Sequence, residues 1–336
     1  MSLIIDNKNS LKKRILLTGA AGAIGHEILK KLVSLTEEHQ ITVLVKNSYK
    51  HRKLLRKFED SIEVIYGDIR KKETTDIIAK DKDVVLHLAA VIPPEADFKK
   101  QLTEEVNYGG TVNIVNSLEK FSPDAFFIYS SSISVYGDRL ENPWIKVGDK
   151  LQASPHDEYA RTKIKAESFI QNSKLNWTIF RLTAIMHPSQ KFDPLMFHMP
   201  LDTKMEICTT SDTATAFINA IEKTSQLNKR TFNLSGGKNC RVQYAEFLEK
   251  CFKISGLGNQ PFPSEAYATS DFHCGYYEDS EELNQILDFQ KDTINDYYEQ
   301  FGNEMGQVKI NLAKFFRYFI IKYFLSKSDP YKIYKS

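Results

Sequence analysis

The stretch RILLTGAAGAIG, residues 14–25, joins a short apolar run to three glycines spaced three apart. RILLT has the composition of a strand buried on both faces. The segment that follows, AIGHEILKKLVSL (23–35), carries Ile24, Ile28, Leu32 and Leu35 at helical spacing. A strand, a glycine turn and a helix in that order bring backbone N–H groups and the positive end of a helix dipole to one point. Glycine lets a diphosphate approach closely there. Gly19, Gly22, Ala23, Ile24 and Gly25 are therefore candidates to cradle a dinucleotide. The alternative is a plain glycine-rich turn. The strand before and the helix after favour the nucleotide reading.

Outward from this point the first half alternates. ITVLVK (41–46), IEVIYGDI (62–69), DVVLHLAA (83–90), AFFIYSSS (125–132) and WTIFRLTAI (177–185) read as strands. Helical stretches lie between several of them, including a long one over 97–119 and one around Tyr159 and Lys163. Strands linked by helical crossovers predict a parallel sheet with helices on both faces. Beyond Ile185 the rhythm loosens. SDTATAFINAIE (211–222), QYAEFLEKCF (243–252) and SEELNQILDF (280–289) read as helices, and RTFNLSG (230–236) as a strand returning to the sheet. The expected fold is α/β, a Rossmann doubly wound parallel sheet over 1–185. A smaller, interleaved substrate-binding cap covers 186–304, and a basic aromatic tail covers 305–336.

With 336 residues, 42% hydrophobic and 26% charged, the chain is of ordinary globular composition. A net charge of +2 does not call for a nucleic-acid partner. The charge is uneven, however. Residues 305–336 hold seven basic side chains and one acid, a net of +6, which leaves the rest at −4. The N-terminus lacks a secretory signal, and no apolar run is long enough to span a membrane. Cys208, Cys240, Cys251 and Cys274 lie far apart and are expected to be buried thiols in a reducing cytoplasm. His187, His198 and His273 show no ligand spacing, so no metal is expected. His87, in an apolar strand, reads as a core histidine.

The end of the second strand bears on the cofactor. An NAD site usually has an acid there, for the ribose hydroxyls, whereas a 2′-phosphate needs a cation. Here Lys46 stands in that place, with His51, Arg52 and Lys53 following. This favours NADP(H), with NAD(H) as the alternative if these are only solvated surface charges.

Six motifs in order make the chain similar to the extended short-chain dehydrogenase/reductase family, the NAD-dependent epimerase/dehydratases. They are TGAAGAIG (18–25), GDIR (67–70), HLAA (87–90), NYGGT (107–111), YSSSISVYG (129–137) and YARTK (159–163). The resemblance implies that Asp68 and Ile69 hold the adenine, and that Leu88, Ala89 and Ala90 line the cofactor. Asn107 and Thr183 join these cofactor residues. It also implies that Ser132, Tyr159 and Lys163 are catalytic, with Tyr159 and Lys163 touching the cofactor too. An ammonium beside a phenol is expected to lower its pKa. Tyr159 would exchange a proton with a substrate oxygen held by Ser132 while hydride moves to or from the nicotinamide.

Departures narrow the substrate. The Thr-Asp-Glu of the family's 4,6-dehydratases is absent after the fifth strand. The epimerase pattern R-Y-F-N reads RLTA (181–184), and Met205 stands near an expected diphosphate-binding Arg. Lys204, Arg230, Lys238 and Arg241 are left as substitutes for that Arg. The resemblance then points to carbonyl reductases or alcohol dehydrogenases similar to the dihydroflavonol-reductase-like and 3β-hydroxysteroid-dehydrogenase-like members. A nucleotide-sugar epimerase with tightly held NAD, and a non-catalytic dinucleotide sensor or scaffold, are the alternatives. MHPSQKFDPLMFHMPLD (186–202) is read either as an apolar wall for a hydrophobic small-molecule substrate or as cap core. In the tail, INLAKFFRYFIIKYFLSK (310–327), Leu312, Phe315, Phe316, Phe319, Ile320, Tyr323 and Phe324 fall on one broad helical face. Lys314, Arg317 and Lys322 fall opposite, with Ile321 and Leu325 as apolar exceptions on that side. Docking on the body is favoured, and peripheral contact with the inner face of a membrane or a homodimer contact is left open.

Overall fold

The structure, a computed structural model, describes residues 12–335. The apolar runs become seven parallel strands: β1 (Lys13–Thr18), β2 (His39–Val45), β3 (Glu63–Tyr66), β4 (Val84–His87), β5 (Phe126–Ser132), β6 (Asn176–Leu182) and β7 (Arg230–Leu234). Their order is β7-β6-β5-β4-β1-β2-β3. Continuous apolarity in β1 follows from burial on both sides. Ile15 and Leu17 join a core with Ile28, Leu29 and Leu32 of helix α1 (Ala23–Val33), while Leu16 joins the opposite core with Val85 and Phe127. The strand order reverses between β1 and β4. In an open parallel sheet that reversal makes the crevice where ligands bind.

Two segments depart from the expected elements. The stretch 97–119 is not one helix. Glu95–Phe98 and Lys100–Thr103 are short turns of helix, Glu104–Gly109 is a wider π-helical turn, and only Gly110–Phe121 (α2) is regular. The run 177–185 divides at Thr183. Its N–H donates to Leu234 O (3.0 Å) and its hydroxyl to the carbonyl of Glu206. Past that point Ala184–Met186 leaves the sheet and pairs in parallel with Lys204–Thr209, which also pairs antiparallel with Arg241–Gln243.

Helix α3 (Glu158–Gln171) packs beside β5, and α4 (Thr210–Ala220) packs on α1. The cap has an aromatic core of its own, built around α5 (Tyr244–Ser255). Phe197 lies within 5.1 Å of Phe262 and 5.2 Å of Tyr267, ring to ring, and is fully buried. Of the two readings of 186–202, the structure therefore supports cap core, because Met196 and Phe197 point into it. The four cysteines are free and buried. No helix among the described residues is long and apolar enough to cross a membrane.

The tail forms three helices, α6 (Ile294–Phe315), α7 (Arg317–Lys327) and α8 (Asp329–Lys335), with a break at Gly306 where φ is +64°. It docks on the cap. Ile320, Ile321, Phe324 and Leu325 pack against the cap core, and buried Ser328 donates to Ala266 O (2.7 Å). The single broad apolar face expected here is corrected. The apolar residues divide between two sides, because Ile321 and Leu325 turn inward with Ile320 and Phe324 while Leu312, Phe315, Phe319 and Tyr323 turn outward.

Candidate functional site

The glycine loop is built by close packing. Gly19 has φ +80°, and a Cβ there would lie 2.7 Å from the Leu88 carbonyl carbon and 2.8 Å from the Ala89 nitrogen. A Cβ on Gly25 would lie 2.2 Å from Gly19 O. The loop after β4, Leu88–Ala90, is thus pressed onto the turn after β1, and the Ala89 N–H donates to Thr18 Oγ1 (3.2 Å). Gly22 caps α1 with no side-chain bond. The first bond of the helix runs from His26 N–H to Gly22 O (2.8 Å), so the N–H groups of Ala23, Ile24 and Gly25 lie outside the helical ladder. Such a cradle fits a dinucleotide diphosphate.

At the far end of the crevice the residues after β2 are cationic. Ser48 caps the helix that follows, the ring Nδ1 of His51 meets Lys46 O (3.0 Å), and Arg52 lies 4.1 Å from the centre of the Tyr66 ring. No acid occurs from Lys46 to Phe58. The Asp68 carboxylate pairs with Arg70 (2.6 Å), which holds it below the usual carboxylate range, and Lys46 adds a smaller effect in the same direction. Ile69 is buried against Gly110, where a Cβ would lie 2.7 Å from it.

Ser132 ends β5, and the Ser134 N–H and hydroxyl lie 3.2 and 3.0 Å from its Oγ. Asp157 caps α3 through the Ala160 N–H (2.8 Å), which starts the helix one turn before Lys163. Tyr159 is partly exposed and Lys163 is buried. The Lys163 ammonium donates to Ser130 O (2.6 Å) and lies 5.6 Å from the centre of the Tyr159 ring. Burial pushes the phenol up to about 12, and a hydrogen bond with Ser132 opposes that rise. Burial sets the direction of this shift. Tyr159 is held protonated at neutral pH.

Burial also takes Lys163 from 10.5 down to about 7, against an opposing pull from Glu167. Between those values the unfolded chain keeps the proton and the folded one gives it up, so raising the pH across this window stabilises the fold. Urea titrations are expected to show a steeper gain in the wild type than in Lys163→Met.

Asn107 and Thr183 are each tied into the protein by their own hydrogen bonds. The Asn107 amide accepts from Val91 N–H (2.7 Å) and donates to Val91 O (2.9 Å) and Thr162 Oγ1 (3.2 Å). It ties the loop after β4 to α3 between Tyr159 and Lys163. The Thr183 hydroxyl goes to the cap. His87 is a core residue, bonded to Thr18 (2.8 Å) and Thr111 (3.1 Å), and burial lowers it to about 3, so it stays neutral.

Sequence reasoning missed Glu167. It is 1% exposed and receives Ser131 Oγ at 2.5 Å and Arg181 at 2.7 Å. Arg181 donates to the Tyr136 hydroxyl (2.8 Å), which donates to Asn233 of β7 (2.7 Å). The signal was present: Tyr159, Lys163 and Glu167 recur every four residues, one face of a helix. The proposed diphosphate cations are mostly engaged. Arg241 pairs with fully buried Glu206 (2.7 Å) and lies 5.2 Å from both the Trp144 and Tyr276 rings. Arg230 pairs with Glu282 at the opposite end of β7, and Lys204 donates to Gln243 (2.9 Å). Met205 is buried in the cap core.

Comparison with known proteins fits this geometry. The sequence model of the 3-beta hydroxysteroid dehydrogenase/isomerase family matches residues 16–185. A UDP-N-acetyl-alpha-D-glucosaminuronate decarboxylase of Bacillus cytotoxicus is 33% identical over 192 residues, 55% of this chain and 58% of that protein. A putative UDP-glucose 4-epimerase of Methanocaldococcus jannaschii is 30% identical over 159 residues, 47% of this chain and 50% of that protein. The chain thus spans about half the length of the curated relatives it matches. A dTDP-glucose 4,6-dehydratase from Bacillus anthracis, solved with NAD, shares the fold at a TM-score of 0.72, with 17% identity over 88% of this chain and 98% of that one. The matched family region runs from β1 through α3 to the exit of β6, half of the sequence, and the chain belongs to the 3-beta hydroxysteroid dehydrogenase/isomerase family of extended short-chain dehydrogenase/reductases.

Proposed function

We propose that this protein transfers hydride between a nicotinamide dinucleotide and a carbonyl or secondary-alcohol carbon, with Tyr159 exchanging the proton. The observation that carries the reading is the meeting of Tyr159, Ser132 and Lys163 at one strand end beside the glycine loop. When bound, the nicotinamide supplies or takes the hydride. The N–H groups at the start of α1 receive the diphosphate. Ser132 donates to the substrate oxygen and fixes its place. Tyr159, held protonated, gives its proton to that oxygen as the carbonyl is reduced. Lys163, within reach of the ring, stabilises the phenolate left behind.

The cations after β2 support NADP(H) as the cofactor, and a protonated Tyr159 suits reduction. A second reading, a nucleotide-sugar epimerase with NAD, is supported by the names of the relatives. Against it stands the engagement of Arg241, Arg230 and Lys204 in other contacts. Calorimetry on protein stripped of nucleotide separates the two. NADPH is expected to bind more tightly than NADH, and Lys46→Asp is expected to cut the preference roughly tenfold to a hundredfold, the worth of a hydrogen bond to a charged group. NAD that survives purification, together with turnover of a UDP-sugar, would establish the epimerase. Binding of neither cofactor would leave a scaffold.

A further inference from the structure

The outward side of the tail is apolar and basic together. Leu312 and Phe315 lie three apart on α6, and Phe319 and Tyr323 four apart on α7, so each pair shares one side of its own helix. Phe315 is 81%, Phe319 67% and Tyr323 57% exposed. Single exposed aromatics are ordinary, but a cluster of them on two consecutive helices is not. Lys322, exposed on α7, adds a cation near Phe319 and Tyr323 in the sequence. Beside it α7 and α8 enclose a groove of about 700 Å³. Ile321 and Leu325 supply its apolar lining, Tyr318 an aromatic one, and Lys322, Lys332 and Lys335 its cations. The one acid of the tail, Asp329, already pairs with Lys332 (2.7 Å).

We infer that this face seats the protein on an anionic phospholipid bilayer. The aromatic cluster enters the interface, and the groove takes an acyl chain with its phosphate at the lysines. Charge selects this occupant. A tail at +6 on a body at −4 is drawn to a negative surface with its aromatic side foremost. Two copies of the face would instead set like charges against each other. The docking face and the membrane face coexist, because the inward side holds the tail to the cap whatever the outward side meets.

The test is sedimentation of the full chain with vesicles of phosphatidylcholine alone and of equimolar phosphatidylcholine and phosphatidylglycerol. Binding is expected only to the second, and it should weaken as salt rises. Lys322→Gln, Lys332→Gln and Lys335→Gln together should lower the partition by on the order of a hundredfold, at about fivefold for each charge near the surface. Phe315→Ser, Phe319→Ser and Tyr323→Ser together should abolish it. All six side chains are exposed, so both variants should keep the wild-type melting temperature and cofactor affinity. No binding to either vesicle would overturn the proposal. So would anionic binding that survives the aromatic variant, since charge alone would then explain it. A wild-type dimer that ignores vesicles and that either variant splits would overturn it too, in favour of a contact between copies.

Discussion

Tyr159→Phe is expected to lower turnover by about a hundredfold to ten-thousandfold while dinucleotide affinity stays within a few-fold of wild type. The substitution removes one hydroxyl from a ring that packs against the core beside β5, so the fold has little to lose. What disappears is the proton proposed for transfer, held at neutral pH on a phenol kept near 12 by burial. Single-turnover kinetics with pre-bound cofactor would isolate the chemical step. If Tyr159 only bound substrate, the loss would fall on KM and vanish at saturation. A loss in kcat that saturating substrate does not restore is the signature of proton transfer. Retained turnover would remove Tyr159 from the chemistry.

Glu167→Ala carries the second large effect, a loss of about 3–5 kcal/mol of stability. Glu167 and Arg181 are both almost fully buried and joined by paired hydrogen bonds. Removing the carboxylate leaves a guanidinium in the interior with only Tyr136 and the Val147 carbonyl as partners. The cost is mainly that uncompensated charge rather than the worth of the pair. A double variant, Glu167→Leu with Arg181→Met, should therefore unfold at higher urea than Glu167→Ala alone. Equal destabilisation by the two would mean that the hydrogen bonds, not the stranded charge, set the loss.

These two residues show what the sequence made legible. Tyr159 was readable because its role depends on spacing along one helix and on motifs in fixed order. The glycine loop was readable because the backbone demands glycine where Gly19 and Gly25 touch other backbone. Glu167 was hidden, because its partners Ser131 and Arg181 lie on two different strands, and only the sheet brings them together. The state of the Tyr159 phenol was hidden for a similar reason. Burial is set by the whole fold, and a motif does not display it. The tail misled in a third way. Its residues are apolar on nearly every side, so a helical wheel could not say which row turns inward.

One consequence concerns what can be cut from this chain. The bond from Tyr136 to Asn233 joins the loop after Ser132 to β7, whose residues are the last in the chain to enter the sheet. Asn233 in turn donates to Asp279, which receives the Val147 N–H. The stretch most shared with relatives, 16–185, ends before either partner is made. It holds the glycine turn and the three side chains proposed for catalysis, yet not the anchors that set their floor. The site is not a portable module. A newly made chain possesses its reactive residues well before it possesses the brace that aligns them.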